Sequence, residues 1–185
     1  MGEHHHEHEH HHVHRSLADI ENLIMGLNAS EKVKKNACGI YRIIAEAEGK
    51  VHGREPGEVH FHEVGAMDAV ADIMAACLLM DELDPELVVA SPLNTGHGTV
   101  KCAHGVLSVP APATAEILKG MPSYNDDTEG ELLTPTGAAI IKFFADEFGS
   151  MPVMKTQSVG YGLGGKKFTR LNAVRSFLVE TEAKE

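Results

Sequence analysis

A mixed α/β fold is predicted for this chain of 185 residues by three observations. Strand-like and helix-like apolar patterns alternate along it. Glycine- and proline-rich turns separate them. A hydrophobic content of 43% supplies enough apolar surface for one core but leaves little room for two full domains. The organisation expected is a histidine-rich arm over 1–14, a single mixed α/β domain over 15–181 and a short tail over 182–185.

The arm, MGEHHHEHEHHHVH, has almost nothing to bury, so it is expected to be disordered without metal. After Arg15, Leu17, Ile20, Leu23, Ile24 and Leu27 recur at helical spacing, with Ser16 placed to cap the start and Asn28 to end it. Ser30 caps a second helix, whose apolar face runs through Val33, Ala37, Ile40, Ile43, Ile44 and Ala47 to Gly49. The two read as a helical hairpin. Residues 59–64, VHFHEV, read as a short strand broken by Gly65. A helix follows from about Ala66 to Leu83, apolar nearly all round and therefore expected to be buried.

Glu86–Ala90 reads as a buried strand, and SPLNTGHGTVKCAHGVLSVPAPAT as loops and short strands. Helices are predicted over Ala113–Lys119 and Thr134–Phe148, with Thr134 or Thr136 at the start of the second. GYGLGGKK reads as a flexible loop able to contact an anion, and Asn172–Val179 as the last strand.

The formal charge of -11, from 27 acidic against 16 basic residues, argues against nucleic acid and against anionic membrane surfaces. Cys38, Cys77 and Cys102 form no CxxC pair, which fits a reducing compartment and a cytoplasmic location. The stretch Ala69–Met80 contains Asp72 and is too short to span a bilayer. The N-terminus lacks the apolar core of a signal peptide.

Eight of the 13 histidines (His4, His5, His6, His8, His10, His11, His12 and His14) lie in the arm and are candidate metal ligands. A purification tag is the alternative, encouraged by the leading Met1 and Gly2, whereas Glu3, Glu7, Glu9 and Val13 interrupt the histidines and favour a native tract. In VHFHEV, His60 and His62 stand two apart, which on a strand puts both imidazoles on one face and Phe61 and Glu63 on the other. Asp68 and Asp72, four apart on the following helix, share a stripe near its start. A strand–turn–helix junction can gather His60, His62, Glu63, Asp68 and Asp72 into a metal or catalytic site, with His60, His62 and Asp68 the candidate ligands. The structural alternative has Asp68 complementing the helix dipole and Asp72 pairing with a cation.

His97, Cys102 and His104 form a looser group, with Cys102 equally suited to burial. Gly96, Gly98 and Gly105 allow backbone to approach a ligand or simply make turns. Thr134 and Thr136 at a helix start suit either an anion such as phosphate or ordinary capping. Neither GxxxxGK[ST] nor GxGxxG occurs in its proper setting.

Taken in order, HHHEHEHHHVHRSLADIENLI, AEAEGKVHG, EVHFHEVGAMDAVADI, SPLNTGHGTVKCAHGVLSVPAPATAEILKG, EGELLTPTGAAII, FGSMP and VGYGLGG resemble the LarC family, the nickel insertion proteins of nickel-pincer nucleotide biosynthesis. The resemblance implies a nickel-inserting lyase, a CTP-dependent cyclometallase. Its substrate would be a pyridinium mononucleotide bearing two thiocarboxylates, into which nickel enters through two sulfur bonds and one carbon bond. It also implies CTP with manganese or magnesium, release of CMP and pyrophosphate, and a lactate racemase-type apoenzyme as recipient. Family proteins are longer than this chain. They begin with a glycine- and aspartate-bearing strand–loop segment and end in a nucleotide-binding C-terminal domain. The chain alone is therefore expected to be incomplete for the CTP-dependent step. The competing readings are a non-catalytic nickel or zinc storage or delivery module, and a structural piece that assembles a larger enzyme. A homo-oligomer is left open.

Overall fold

The computed structural model describes residues 15–61, 67–102 and 105–180. The arm and tail lie outside the described residues. The described fold groups into two compact units divided between Glu82 and Leu83.

The first unit is helical. It runs through β1 (Arg15–Ser16), α1 (Leu17–Met25), α2 (Glu31–His52), a 3-10 turn at Pro56–Glu58, β2 (His60–Phe61) and α3 (Met67–Leu83). The Ser16 hydroxyl accepts from the Asp19 N–H, while the Asp19 carboxylate accepts from the Ser16 N–H, a capping box that fixes the start of α1. Ser30 caps α2 by accepting from the Val33 N–H at 3.2 Å, and its hydroxyl donates to Asp81 at 3.1 Å. With the Lys32–Asp81 ion pair at 3.2 Å, this ties the start of α2 to the end of α3. The second helix runs past Gly49 to His52 and is closed by Gly53 in the left-handed region, φ 64°.

The core of this unit takes Ile20 and Ile24 from α1; Val33, Ala37, Ile40, Tyr41 and Ile44 from α2; and Val59 and Phe61 beside β2. From α3 it takes Val70, Ile73, Met74 and Cys77, spaced as one helical stripe. The expectation that this helix is buried all round is therefore corrected. Leu78, Leu79 and Leu83 are 48%, 63% and 53% exposed, because helical geometry can aim only one stripe at a single neighbouring layer.

The second unit is built from short strands: β3 (Val89–Ala90), β4 (Leu93–Asn94), β5 (Gly96–His97), β6 (Thr99–Cys102), β7 (Gly105–Ser108), then α4 (Pro112–Ile117), β8 (Ser123–Tyr124), β9 (Gly130–Glu131), α5 (Pro135–Phe144), β10 (Glu147–Phe148), β11 (Lys155–Leu163) and β12 (Ala173–Glu180). Among the described residues every sheet has two strands. β3 pairs parallel with β10 and β4 with β8, whereas β5–β9, β6–β7 and β11–β12 are antiparallel. The buried side chains of this unit include Leu93, Ala113, Ile117, Leu118, Leu133, Ala138 and Ala139.

Three further expectations are corrected here. The strand at Glu86–Ala90 shortens to Val89–Ala90 and is not buried, with Leu87 50% and Val89 37% exposed. The helix over 134–148 ends at Phe144, because Val88 O accepts from the N–H groups of Asp146 and Glu147 and draws that segment into β10. In GYGLGGKK, Gly160–Leu163 continue β11 instead of forming a loop. Val159↔Phe177, Tyr161↔Arg175 and Leu163↔Ala173 pair them to β12.

Candidate functional site

At the junction named by the sequence, His60 is exposed and Phe61 buried, the alternation a strand imposes. His60 pairs in register with Ser16. His62 and Glu63 lie outside the described residues, as does the Gly65 turn. Asp68 stands exposed in the first turn of α3, its carboxylate accepting from the Ala69 N–H at 2.9 Å, and Asp72 is exposed one turn later. Among the described residues no three His, Cys, Asp or Glu side chains gather into a metal site.

Two groups absent from the sequence reading lie beside these residues. Asp19 has its carboxyl held below the usual range, chiefly by the Ser16 hydroxyl and backbone, with the charges of His60 and Arg15 assisting. Its signal was the Ser16-x-x-Asp19 spacing of a capping box. Tyr41 is fully buried, with its ring edge-to-face on Phe61 at 5.9 Å. Burial raises its hydroxyl well above the ordinary value. The negative charge of Asp68 adds to this, Arg15 opposes it, and Asp72 contributes further. Tyr41 thus packs on the strand carrying His60 and feels the charges of both aspartates of α3. A tyrosine within an apolar helical stripe reads as core in sequence, so only its surroundings reveal it.

In the second unit, Gly96 (φ 72°) faces the carbonyl oxygen of Gly130, leaving no space for a β-carbon. A β-carbon on Gly98 (φ 90°) would come 3.3 Å from Glu129 Cγ. The His97 N–H donates to Thr128 O at 3.2 Å. Thr134 caps α5, accepting from the Gly137 N–H at 3.2 Å, and Thr136 is half-buried in the same first turn. Close strand approach and capping thus engage Gly96 and Thr134. Asp126 is held below the usual carboxyl range chiefly by the Thr128 side chain and backbone, then by Asn94, with Arg170 donating to it at 3.3 Å.

Cys38 and Cys77 are free and buried. Desolvation raises both thiols, Cys77 to about 11. Cys102 is half-buried at the end of β6, and His104 lies outside the described residues. No helix among the described residues is long and apolar enough to cross a membrane.

Residues 3–185 match the family described as "Nickel insertion protein". The chain is 47% identical over 163 residues to a pyridinium-3,5-bisthiocarboxylic acid mononucleotide nickel insertion protein of Desulfitobacterium hafniense, covering 88% of this chain and 40% of that protein. It is 45% identical over 184 residues to a protein of the same description from Clostridium kluyveri, covering 100% of this chain and 46% of that protein. The chain therefore spans less than half the length of these relatives. No solved structure matches it.

Proposed function

Because this chain belongs to the nickel insertion protein family, we propose that it is the nickel-handling part of an enzyme that inserts nickel into pyridinium-3,5-bisthiocarboxylic acid mononucleotide. The observation carrying this reading is the continuous family match over residues 3–185, which takes in both the histidine-rich arm and the His60–Asp72 junction. Nickel is the cargo, and the mononucleotide is the acceptor.

Each chemical step asks for a residue type this chain carries. Imidazole is a borderline ligand that holds nickel and gives it up, so the arm collects the ion and His60 and His62 present it. Thiocarboxylate sulfurs, being softer, then capture it. Forming the nickel–carbon bond displaces a ring proton, and Glu63, Asp68 or Asp72 is the base that receives it. Exposure of Asp68 and Asp72 supports that role, since an acceptor must be reachable by the substrate. The Tyr41–Phe61 contact anchors in the core the two-residue strand that carries His60.

The CTP-dependent step, with manganese or magnesium, belongs in this reading to another portion of the longer protein, since the chain covers less than half the length of its relatives. The recipient is a lactate racemase-type apoenzyme, and the setting is cytoplasmic. Gly96, Gly98, Thr134 and Thr136 remain candidates for contact with the organic ligand. The test is reconstitution of this chain with a C-terminal partner portion, apo-cofactor, nickel and CTP, read out as racemase activation. Activation that needs this chain supports the reading. Stoichiometric nickel uptake without any transfer overturns it in favour of a storage or delivery module.

A further inference from the structure

In the second unit a shallow depression of about 470 Å³, widely open to solvent, lies between the end of α4 and β8. Its lining divides by chemistry. Pro110, Ala115 and Leu118 supply an apolar wall, while Thr95, Lys119, Ser123, Tyr124 and Asn125 supply polar and aromatic groups. We propose that this depression seats the pyridinium mononucleotide, with its ring on Tyr124 and its phosphate at Lys119. The inference deepens the reading of the chain as a nickel insertion protein and rests on it.

Tyr124 is half exposed, yet its backbone is fixed. Its carbonyl accepts from the Thr95 N–H at 2.9 Å and from the Thr95 hydroxyl at 3.3 Å, and Thr95 itself is only 5% exposed. Two residues earlier on each strand, the Leu93 N–H donates to Pro122 O at 3.0 Å, so β8 is held at both ends of its pairing with β4. An aromatic ring on a fixed backbone with a free face is a preorganised stacking platform, and a cationic pyridinium is a favourable guest for a phenol ring.

Lys119 is positioned in the same way. Lys142 donates to the carbonyl oxygens of Ile117 at 2.6 Å and Lys119 at 3.1 Å, pinning the end of α4 and bringing a second ammonium to it. The Lys119 ammonium donates to both carboxylate oxygens of Glu116, at 2.7 and 2.6 Å, leaving one of its three donors for a ligand. Glu116 thus aims Lys119 and also competes with an incoming phosphate. Ser123 and Asn125, flanking Tyr124, are placed for ribose or thiocarboxylate oxygens.

Calorimetric titration of the 185-residue chain with nicotinic acid mononucleotide, a pyridinium mononucleotide with a single ring carboxylate, tests the assignment. Tyr124→Ala should raise Kd about tenfold and Tyr124→Phe less than about twofold, since stacking survives in phenylalanine. Lys119→Ala should weaken the mononucleotide about tenfold but leave its dephosphorylated riboside unchanged, and Glu116→Gln should tighten the mononucleotide. All four changes are at positions off the buried core, and circular dichroism checks that the fold persists.

No binding to the unaltered chain, an unchanged Kd in Tyr124→Ala, or CMP binding more tightly than the pyridinium ligand at this site would each overturn the assignment. The reconstituted transfer assay separates its failure from that of the underlying reading. Nickel transfer that proceeds equally with Tyr124→Ala sinks the depression's assignment alone. Loss of all transfer by the unaltered protein, with Tyr124-dependent pyridinium binding intact, sinks the nickel reading alone.

Discussion

Gly96 and the carbonyl oxygen of Gly130 face each other across the β5–β9 pair, leaving no room for a side chain on Gly96. Gly96 also adopts φ 72°, which penalises any β-carbon. Gly96→Ala therefore combines backbone strain with a clash against main chain that cannot rotate away, and should destabilise the fold by more than about 2 kcal/mol. Gly105→Ala carries the strain alone, since nothing lies within 4 Å of its β-carbon position. It should cost roughly 1 kcal/mol. Urea denaturation of the two variants measures the difference.

The exposed leucines of α3 give a second contrast. Ile73 is fully buried and Leu79 is 63% exposed. Ile73→Ala should cost about 2–5 kcal/mol, whereas Leu79→Ser should stay within about 0.5 kcal/mol. Equal losses in thermal unfolding would mean that Leu79 is packed in solution.

These two contrasts show what the sequence could reveal. Helical spacing located α1, α2 and the buried stripe of α3, because periodicity records which side faces the core. It could not limit α3 to one buried stripe, since Leu78 and Leu79 are as apolar as Ile73. Gly96 was visible as a glycine free to approach something. That its neighbour is Gly130 depends on pairing between distant segments, which local pattern does not encode. Tyr124 and Lys119 went unnoticed for the same reason: their depression exists only once α4 and β8 are brought together.

The thiols should report the two environments directly. Burial raises Cys77 to about 11 and also raises Cys38, while Cys102 is only half-buried. A maleimide at pH 8 should label Cys102 first, with Cys38 and Cys77 reacting only on unfolding. The raised thiols stay protonated in the fold where the unfolded chain ionises. Their contribution is therefore full below the unfolded value of 9.0 and is lost as pH rises toward about 11. Mass spectrometry of labelled peptides over time checks the order.

Acid should act in the opposite sense on Asp19 and Asp126. Both carboxyls are lowered by hydrogen bonds, Asp19 from Ser16 and Asp126 from Thr128. A lowered carboxyl stabilises the fold above its unfolded pKa, roughly 3.9, and that stability is lost as pH falls through the folded value. Ser16→Ala should raise the Asp19 pKa toward the ordinary value, seen by NMR titration, and leave Asp126 unmoved. Movement of both would mean that the shifts come from a global field.

The final prediction concerns His60. Its side chain is exposed on a two-residue strand, while the adjacent Phe61 is only 2% exposed and makes the core contact with Tyr41. His60→Ala should therefore keep the fold, within about 0.5 kcal/mol by thermal melting. Phe61→Ala should cost about 3–5 kcal/mol. If His60 presents nickel to the acceptor, His60→Ala lowers transfer in the reconstituted assay by at least about tenfold, as loss of a metal-site contact typically does. Weak nickel uptake by the arm should remain, because its eight histidines are untouched. Deleting residues 1–14 should do the reverse, removing most of the weak uptake while preserving transfer at saturating nickel. Imidazole binds metal when neutral, so uptake by the arm should fall as pH drops through roughly 6.5. Transfer rates unchanged in His60→Ala, measured alongside a normal melting curve, would remove His60 from the nickel path and leave the arm as the chain's metal-handling element.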